Sequence, residues 1–122
     1  MFISSKNQEL AVHLDQSEIV VLVKEQVDRD FHFFSLVVNW SEEDSSAKAL
    51  WSSLANLVEY LMEKDKNRLM QVIYRIDLAE GELTEVLTDF SIEDVNGRIA
   101  SLILFRELQK VILRKHYSSN AD

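Results

Sequence analysis

Hydrophobic residues near the carboxyl end of the chain recur at helical spacing and point almost all the way round the helix axis. Residues 99–105 contain one polar side chain, Ser101, among six apolar ones. A helix that is apolar on every side is usually surrounded by other parts of the same protein. The pattern therefore predicts a central helix over residues 92–116, with its middle buried and the rest of the chain packed around it.

Two amphipathic stripes predict two more helices in the middle of the chain. The first covers residues 47–62, and its core face is Ala47, Leu50, Trp51, Leu54, Leu57, Val58, Leu61 and Met62. The second covers residues 66–76, and its core face is Leu69, Val72, Ile73 and Ile76. Asp65 stands directly before the second stripe, where an acidic side chain can cap a helix.

The amino-terminal third has a weaker helical pattern. Ser17 is predicted to cap a helix whose core face is Ile19, Leu22, Val23, Val27, Phe31 and Phe34. Asp28, Arg29 and Asp30 are assigned to its polar surface. The competing interpretation is a small hairpin, because residues 19–23 are rich in β-branched side chains. Residues 31–40 could end the helix, form a buried loop or form a short strand.

Two short signals predict where further helices begin. Asp77 and Glu80 have the spacing of a capping box and should open a short helix through Leu87. Ser91 is predicted to cap the central helix in the same way. Gly97 then falls in the first two turns of that helix, where it would allow a close contact with a neighbouring helix.

Together these elements predict a single all-α domain spanning residues 1–122. Four to five helices pack around the central carboxyl-terminal helix, with a weakly patterned arm over residues 1–16 and a frayed tail over residues 118–122. The alternative is an α+β fold with the hairpin in its first third. Composition favours the all-α fold, since the chain has no proline and only two glycines, whereas tight turns at positive φ require glycine.

The net charge and the absence of certain sequence signals limit the partners, metal sites and cellular locations that we expect. The formal net charge is −8, which repels nucleic acid and anionic lipid, so we expect neither nucleic acid nor membrane as a partner. The absence of cysteine excludes disulfides and thiolate metal sites. The chain shows no signal peptide and no apolar run near the ~20 residues that cross a bilayer, so we expect a cytoplasmic protein.

No pattern in the chain is typical of catalysis. His13, His32 and His116 are scattered, and none follows a glutamate at the Glu-x-x-His spacing of carboxylate metal sites. The chain also has no Gly-x-Ser-x-Gly and no glycine-rich phosphate loop. We therefore expect no catalytic residue, no metal and no cofactor, which favours a non-enzymatic protein but leaves the question open.

A basic stripe follows the apolar middle of the central helix. Residues 98–117 contain five cations, among them Arg106, Lys110 and Arg114, against one acid, Glu107. The stripe could bind an acidic partner or a phosphate-bearing ligand. The favoured interpretation is internal pairing, with acids in residues 80–94 or with the negative end of the helix dipole.

Four charged residues are predicted to be buried or half-buried because they lie inside apolar runs: Arg75, Asp77, Arg106 and Glu107. Buried charges need partners, so we expect Arg75 or Asp77 to pair with Arg106 or Glu107. Those four residues, with Tyr74, Lys110 and Arg114, are the candidate ligand- or partner-binding residues.

Residues 69–78 (LMQVIYRIDL) and 105–111 (FRELQKV) carry a resemblance to other proteins. They resemble a group of small uncharacterised bacterial proteins, which share a Tyr-Arg-Ile/Val-Asp stretch before a short helix and a closing helix with Arg-Glu-x-Gln-Lys. The resemblance covers about the second half of the chain and an apolar helix ending near Asp30. It implies an intracellular helical protein and supplies no activity or functional residue.

The sequence thus predicts a protein–protein interaction or assembly module, either with another protein or with itself. The reason is an excess of large apolar residues for a chain this short, namely Trp40, Trp51, Phe33 and Phe34. The alternative is a small-molecule or enzymatic site built on the Arg75, Asp77, Arg106 and Glu107 group.

Overall fold

The fold is an all-α bundle, as predicted. A computed structural model describes Met1 and residues 3–120, with side chains to residue 118, and within that part of the chain there is no strand. The hairpin alternative is therefore wrong, because residues 19–23 lie inside a helix. The helices are α1 (Gln8–Ala11), α2 (Ser17–His32), α3 (Ala47–Lys64), α4 (Lys66–Ile76), α5 (Glu80–Thr88) and α6 (Val95–Asn120).

Helix α6 is the centre of the bundle and contacts each of the other five helices. Its middle is buried, including Ile99, Ile103, Leu104 and the polar Ser101. This confirms the predicted central helix, although α6 begins at Val95 rather than at residue 92. It continues into the predicted tail as far as Asn120, and the last two residues of that tail lie outside the described residues.

Helices α3 and α4 agree closely with their amphipathic stripes. Leu50, Leu54, Val58 and Leu61 are buried on α3, and the flanking residues of its stripe pack against the core. The core side of α4 is Leu69, Val72, Ile73 and Ile76, all buried. Asp65 caps α4 by accepting a hydrogen bond from the Arg68 backbone N–H at 3.2 Å, as predicted.

Helix α2 buries most of its predicted core face, namely Ile19, Val23, Val27 and Phe31, but the buried face extends to one side of it. Leu22 is exposed, whereas Val20, Gln26 and Asp30 are buried beside Val23. The assignment of Asp30 to the polar surface is therefore wrong. The helix starts at Ser17, with Gln16 in the N-cap position and no side-chain cap. The prediction that Ser17 caps this helix is therefore wrong.

Residues 31–40 combine the end of a helix with a buried loop. Helix α2 ends at His32, a turn follows with Ser35 at φ 60°, and residues 36–40 have no regular secondary structure. Leu36 and Val38 point into the core, while Val37 is exposed.

Both predicted capping boxes are placed differently by the structure. Asp77 ends α4 in the left-handed conformation, at φ 65°, and α5 opens at Glu80 without a side-chain cap. At α6 the cap is Asp94, whose Oδ1 accepts from the Gly97 N–H at 2.9 Å. Ser91 instead donates its hydroxyl to Asp89. Several acidic side chains near these helix starts could each act as a cap. The spacing of residues along the sequence does not show which of them does.

The predicted close contact at Gly97 is present. The Trp51 indole N–H of α3 donates to the Gly97 carbonyl at 2.9 Å, which holds the two backbones together. A Cβ added at Gly97 would lie 2.1 Å from Asp94 Oδ2 and 2.8 Å from the Trp51 ring. Glycine is therefore required here by the space available.

Substituting Gly97→Ala is expected to lower the free energy of unfolding by about 1–3 kcal/mol, because the added methyl displaces both the Asp94 cap and the Trp51 ring. Urea denaturation monitored by circular dichroism measures the change. Gly81→Ala is the matched control, since a Cβ at Gly81 meets nothing within 4 Å, and it should be neutral or stabilising by up to ~1 kcal/mol. Equal effects of the two substitutions would contradict the packing argument.

The predicted arm at the amino terminus consists of short helical turns on either side of α1 (Ser5–Asn7 and Val12–Asp15). Leu14 is buried in the core, and Ile3 and Leu10 pack against it. The arm is thus attached to the bundle.

Candidate functional site

A buried charge cluster, formed by Asp30, Arg75, Glu107 and Lys110, joins α2, α4 and α6. Arg75 Nε donates to Asp30 Oδ1 at 3.1 Å, and Lys110 Nζ lies 3.4 Å from Asp30 Oδ2. Gln26, one turn before Asp30, donates to the same Oδ2 at 3.0 Å. One carboxylate therefore holds three helices through groups separated by up to 80 residues in sequence.

Glu107 lies at the bottom of the cluster and is fully buried, with 0% of its surface exposed. Lys110 Nζ is 2.9 Å from Glu107 Oε1. Burial, together with a hydrogen bond with Asp30 and the negative charge of Asp30, raises the pKa of Glu107, while Lys110 opposes the rise; the resulting pKa is about 8. Glu107 is thus mainly protonated at neutral pH.

Asp30 is shifted in the opposite direction. Burial alone would raise its pKa, but hydrogen bonds from Glu107, Gln26 and Lys110, together with the Lys110 charge, lower it below its ordinary value. Asp30 is therefore the charged partner and Glu107 the protonated one. The pair resembles two carboxyl groups that share one proton, and it can take up or release that proton near pH 8.

Two further cations of the basic stripe, Arg114 and Lys115, also pair with α2. Arg114 Nη2 donates to Gln26 Oε1 at 2.6 Å, and Lys115 forms an ion pair with Glu18. The favoured interpretation, internal pairing, agrees with these contacts, but these partners are on α2 rather than in residues 80–94. Arg98 does face an acid of that stretch, Asp89.

Asp77 and Arg106 pair elsewhere, on the opposite side of α4. Arg106 Nε donates to the Asp77 carbonyl at 3.1 Å, and Nη2 lies 3.7 Å from Asp77 Oδ2. They border a cleft of about 460 Å³ that is also lined by Lys6, Asn7, Leu10, Leu78, Ala79, Glu82, Leu102, Phe105 and Gln109. The cations in this cleft already have partners, since Lys6 pairs with Glu82 and Arg106 also donates to Gln109.

The candidate residues predicted from sequence therefore do not form one site. Arg75, Glu107 and Lys110 belong to the buried charge cluster. Arg114 lies one turn beyond Lys110 on α6 and donates to Gln26 of α2. Asp77 and Arg106 lie in the separate cleft, and Tyr74 points outward with 86% of its surface exposed. The pairing predicted between Asp77 and Arg106 is present, but the Asp77 side chain is 88% exposed, so its predicted burial is wrong. Arg75 pairs instead with Asp30, which was not a predicted site residue.

Exposed aromatic side chains lie next to the cluster where Arg75 reaches the surface. The Arg75 guanidinium lies 4.1 Å from the centre of the Phe33 ring, and Phe33 packs edge-on against Phe34 at 5.1 Å. We call the surface lined by Phe33, Phe34, Met70, Gln71, Tyr74 and Arg75 the aromatic patch; it borders an open cavity of about 540 Å³.

Of the four large residues predicted to be in excess, Phe33 is the most exposed, at 66%. Phe34, Trp40 and Trp51 are partly buried against the core. Trp40 donates its indole N–H to Asp28 at 2.8 Å. Tyr74, whose exposure the sequence pattern did not predict, lies beside Phe33, so two highly exposed aromatic side chains line the same cavity.

Over Met1 and residues 3–120, no group of three or more histidine, aspartate or glutamate side chains is arranged to hold a metal ion. Over the same residues, no helix combines the length and the apolar character that crossing a bilayer requires.

The fold and the site define this chain as an all-α bundle with a carboxyl pair buried between its helices and an aromatic patch beside it. Comparisons with protein-family models, curated proteins and solved structures gave no match. The resemblance of the second half to small bacterial proteins stays a prediction.

Proposed function

We propose that the protein is a non-enzymatic protein–protein interaction module of the cytoplasm, and that its partner docks on the aromatic patch. The observation that supports this is the pair of aromatic side chains, Phe33 and Tyr74, exposed at 66% and 86% beside one cavity. Aromatic and arginine side chains are enriched at protein interfaces, and tyrosine and arginine are frequent among the few residues that dominate the binding energy.

The base of the patch supports the proposal because it is fixed before any partner arrives. Arg75 is tied to the buried Asp30 and lies over Phe33, so both side chains already have defined positions. A surface that needs little ordering binds with a smaller entropic cost. Arg75 remains about one third exposed, which leaves donors for a partner.

A photo-crosslinking amino acid in place of Tyr74 tests the proposal in living cells. We expect a discrete crosslinked adduct from position 74, and its loss when Phe33→Ser is added, because a bound partner covers both positions. The matched control places the same amino acid at Tyr117, which is also exposed, at 68%, but lies on α6 away from the patch lining. Equal adducts at both positions, or none at position 74, would contradict the proposal.

A further inference from the structure

One aromatic side chain outside the aromatic patch is almost completely exposed to solvent. Phe90 is 98% exposed and lies in the turn between α5 and α6. The turn is held in place, since Asp89 Oδ1 accepts from the Ser91 N–H at 3.0 Å and Asp94 caps α6. Phe90 is thus presented to solvent on a defined backbone, so its ring is available to a partner at little cost in ordering the turn.

The charges around Phe90 are all of one sign within the turn. Residues 89–94, which we call the Phe90 turn, contain three acids, Asp89, Glu93 and Asp94, and no cation. Arg98, in the first turns of α6, lies close enough to Asp89 to lower the pKa of that carboxyl. The remaining acids keep the turn negative, so a partner for Phe90 should combine an apolar surface with a cation.

The aromatic patch of the same protein has that combination. Among its lining residues Arg75 is the charged one, and the others are apolar apart from the Gln71 amide and the Tyr74 hydroxyl. The neighbouring cavity beyond Tyr74 contains two acids, Asp77 and Glu80, which would repel the turn. The charges therefore favour docking of the Phe90 turn on the aromatic patch, which contains Arg75, over docking on the cavity that contains Asp77 and Glu80.

We propose that the Phe90 turn of one molecule docks on the aromatic patch of a second copy, with the Phe90 ring between Phe33 and Tyr74 and the acids of the turn near Arg75. This inference rests on the proposed function and names the partner. Self-pairing of two patches is disfavoured, because it would place two Arg75 side chains together. Turn and patch are different surfaces, so the contact is heterologous, and it either closes into a ring or continues into a chain of molecules.

Mixing two variants of the purified full-length protein tests the proposal. Phe90→Ala removes the inserting ring and keeps the patch, while Tyr74→Ala damages the patch and keeps the turn. Both side chains are exposed, so neither substitution changes the core. Sedimentation velocity over a range of concentrations should show association of the wild-type chain, and weakening by at least about tenfold in each variant alone.

The equimolar mixture is the decisive sample. The intact patch of Phe90→Ala can accept the intact turn of Tyr74→Ala, so we expect the mixture to form a dimer and nothing larger. Association of the wild type should also weaken as ionic strength rises. A wild-type chain that stays monomeric at all concentrations, a Phe90→Ala chain that associates as before, or a mixture that stays monomeric would each overturn the inference.

These outcomes separate the inference from the proposed function. If the wild type is monomeric while the probe at position 74 forms an adduct with a different protein in cells, the partner is not a second copy and the interaction module stands. If neither experiment detects a contact, both proposals are wrong.

Discussion

Replacing Glu107 with glutamine should make the protein more stable at pH 9 and leave it nearly unchanged at pH 5. A glutamine amide can donate to Asp30 and its carbonyl can accept from Lys110, so Glu107→Gln imitates the protonated carboxyl. The variant therefore keeps the contacts of the buried charge cluster and removes the one group that must lose a proton as the pH rises.

The direction follows from the two pKa values of Glu107. In the unfolded chain the carboxyl titrates near 4.5, and in the folded chain at about 8. Between these values the folded state holds one proton more than the unfolded state, so stability falls as the pH rises. The loss is roughly 1 kcal/mol per pH unit across that window and stops once the folded carboxyl has ionised. The glutamine variant has no such loss.

Urea denaturation of both proteins at several pH values between 5 and 9 measures this difference, and comparing the two curves cancels the titration of all other groups. Glu59→Gln is the matched control, because Glu59 is exposed on α3, and its curve should follow the wild type. If the Glu107→Gln curve ran parallel to the wild-type curve, the proton of Glu107 would not be held as the structure implies.

Elements whose apolar residues follow one helical period were predictable from the sequence. The core faces of α3 and α4 were correct because large side chains at every third or fourth position leave one way to bury them. The apolar middle of α6 was correct for the same reason, since no orientation of that helix would expose it to water without a large cost. The close contact at Gly97 was predictable as a possibility, because glycine lets a neighbouring element approach the backbone, although Gly81 in α5 shows that a helical glycine need not have such a contact.

Features that depend on pairing across the sequence were not predictable in the same way. Asp30 was assigned to a polar surface because its neighbours Asp28 and Arg29 are polar, yet it faces the core with Arg75 and Lys110 as partners. A weak signal existed: Gln26 and Asp30 are four residues apart and flank Val23 and Val27 at helical spacing. Such a polar pair on an apolar face is compatible with burial, but the sequence does not say which distant cation compensates it.

The candidate site was predicted as four charges and is instead two separate pairings. Glu107 was correctly expected to be buried, because it lies between Phe105 and Leu108 in an apolar run. Arg106, the next residue, points about 100° away around the helix and so reaches Asp77 on the other side. Adjacent residues on a helix point in different directions, so they contribute to one compact site only if that site surrounds the helix. Their proximity in the sequence therefore did not predict a common site.

Replacing Asp30 with alanine should cause the largest loss of stability of any substitution discussed here, about 3–5 kcal/mol in the free energy of unfolding. Removing one partner of a buried ion pair is costly because the other charge loses its compensation; here Arg75 loses its carboxylate partner, and Lys110 keeps only Glu107. Asp30→Ala removes the acceptor of Arg75, Lys110 and Gln26 at once. Asp28→Ala is the matched control on the same helix, and it should cost roughly 1 kcal/mol through the lost Trp40 hydrogen bond.

A second readout separates loss of the charge cluster from simple loss of packing. The Asp30 hydrogen bond and negative charge both raise the pKa of Glu107, so removing Asp30 should lower that pKa and let Glu107 pair with Lys110 as an ion. Carbon NMR of the Glu107 carboxyl measures the shift, and Asp30→Asn, which removes the charge but keeps most of the volume, provides a folded sample if alanine is not tolerated. A Glu107 pKa that stays at about 8 in Asp30→Asn would show that burial alone sets it. In that case the two carboxyl groups would titrate independently, and α2 and α6 would be joined without a shared proton.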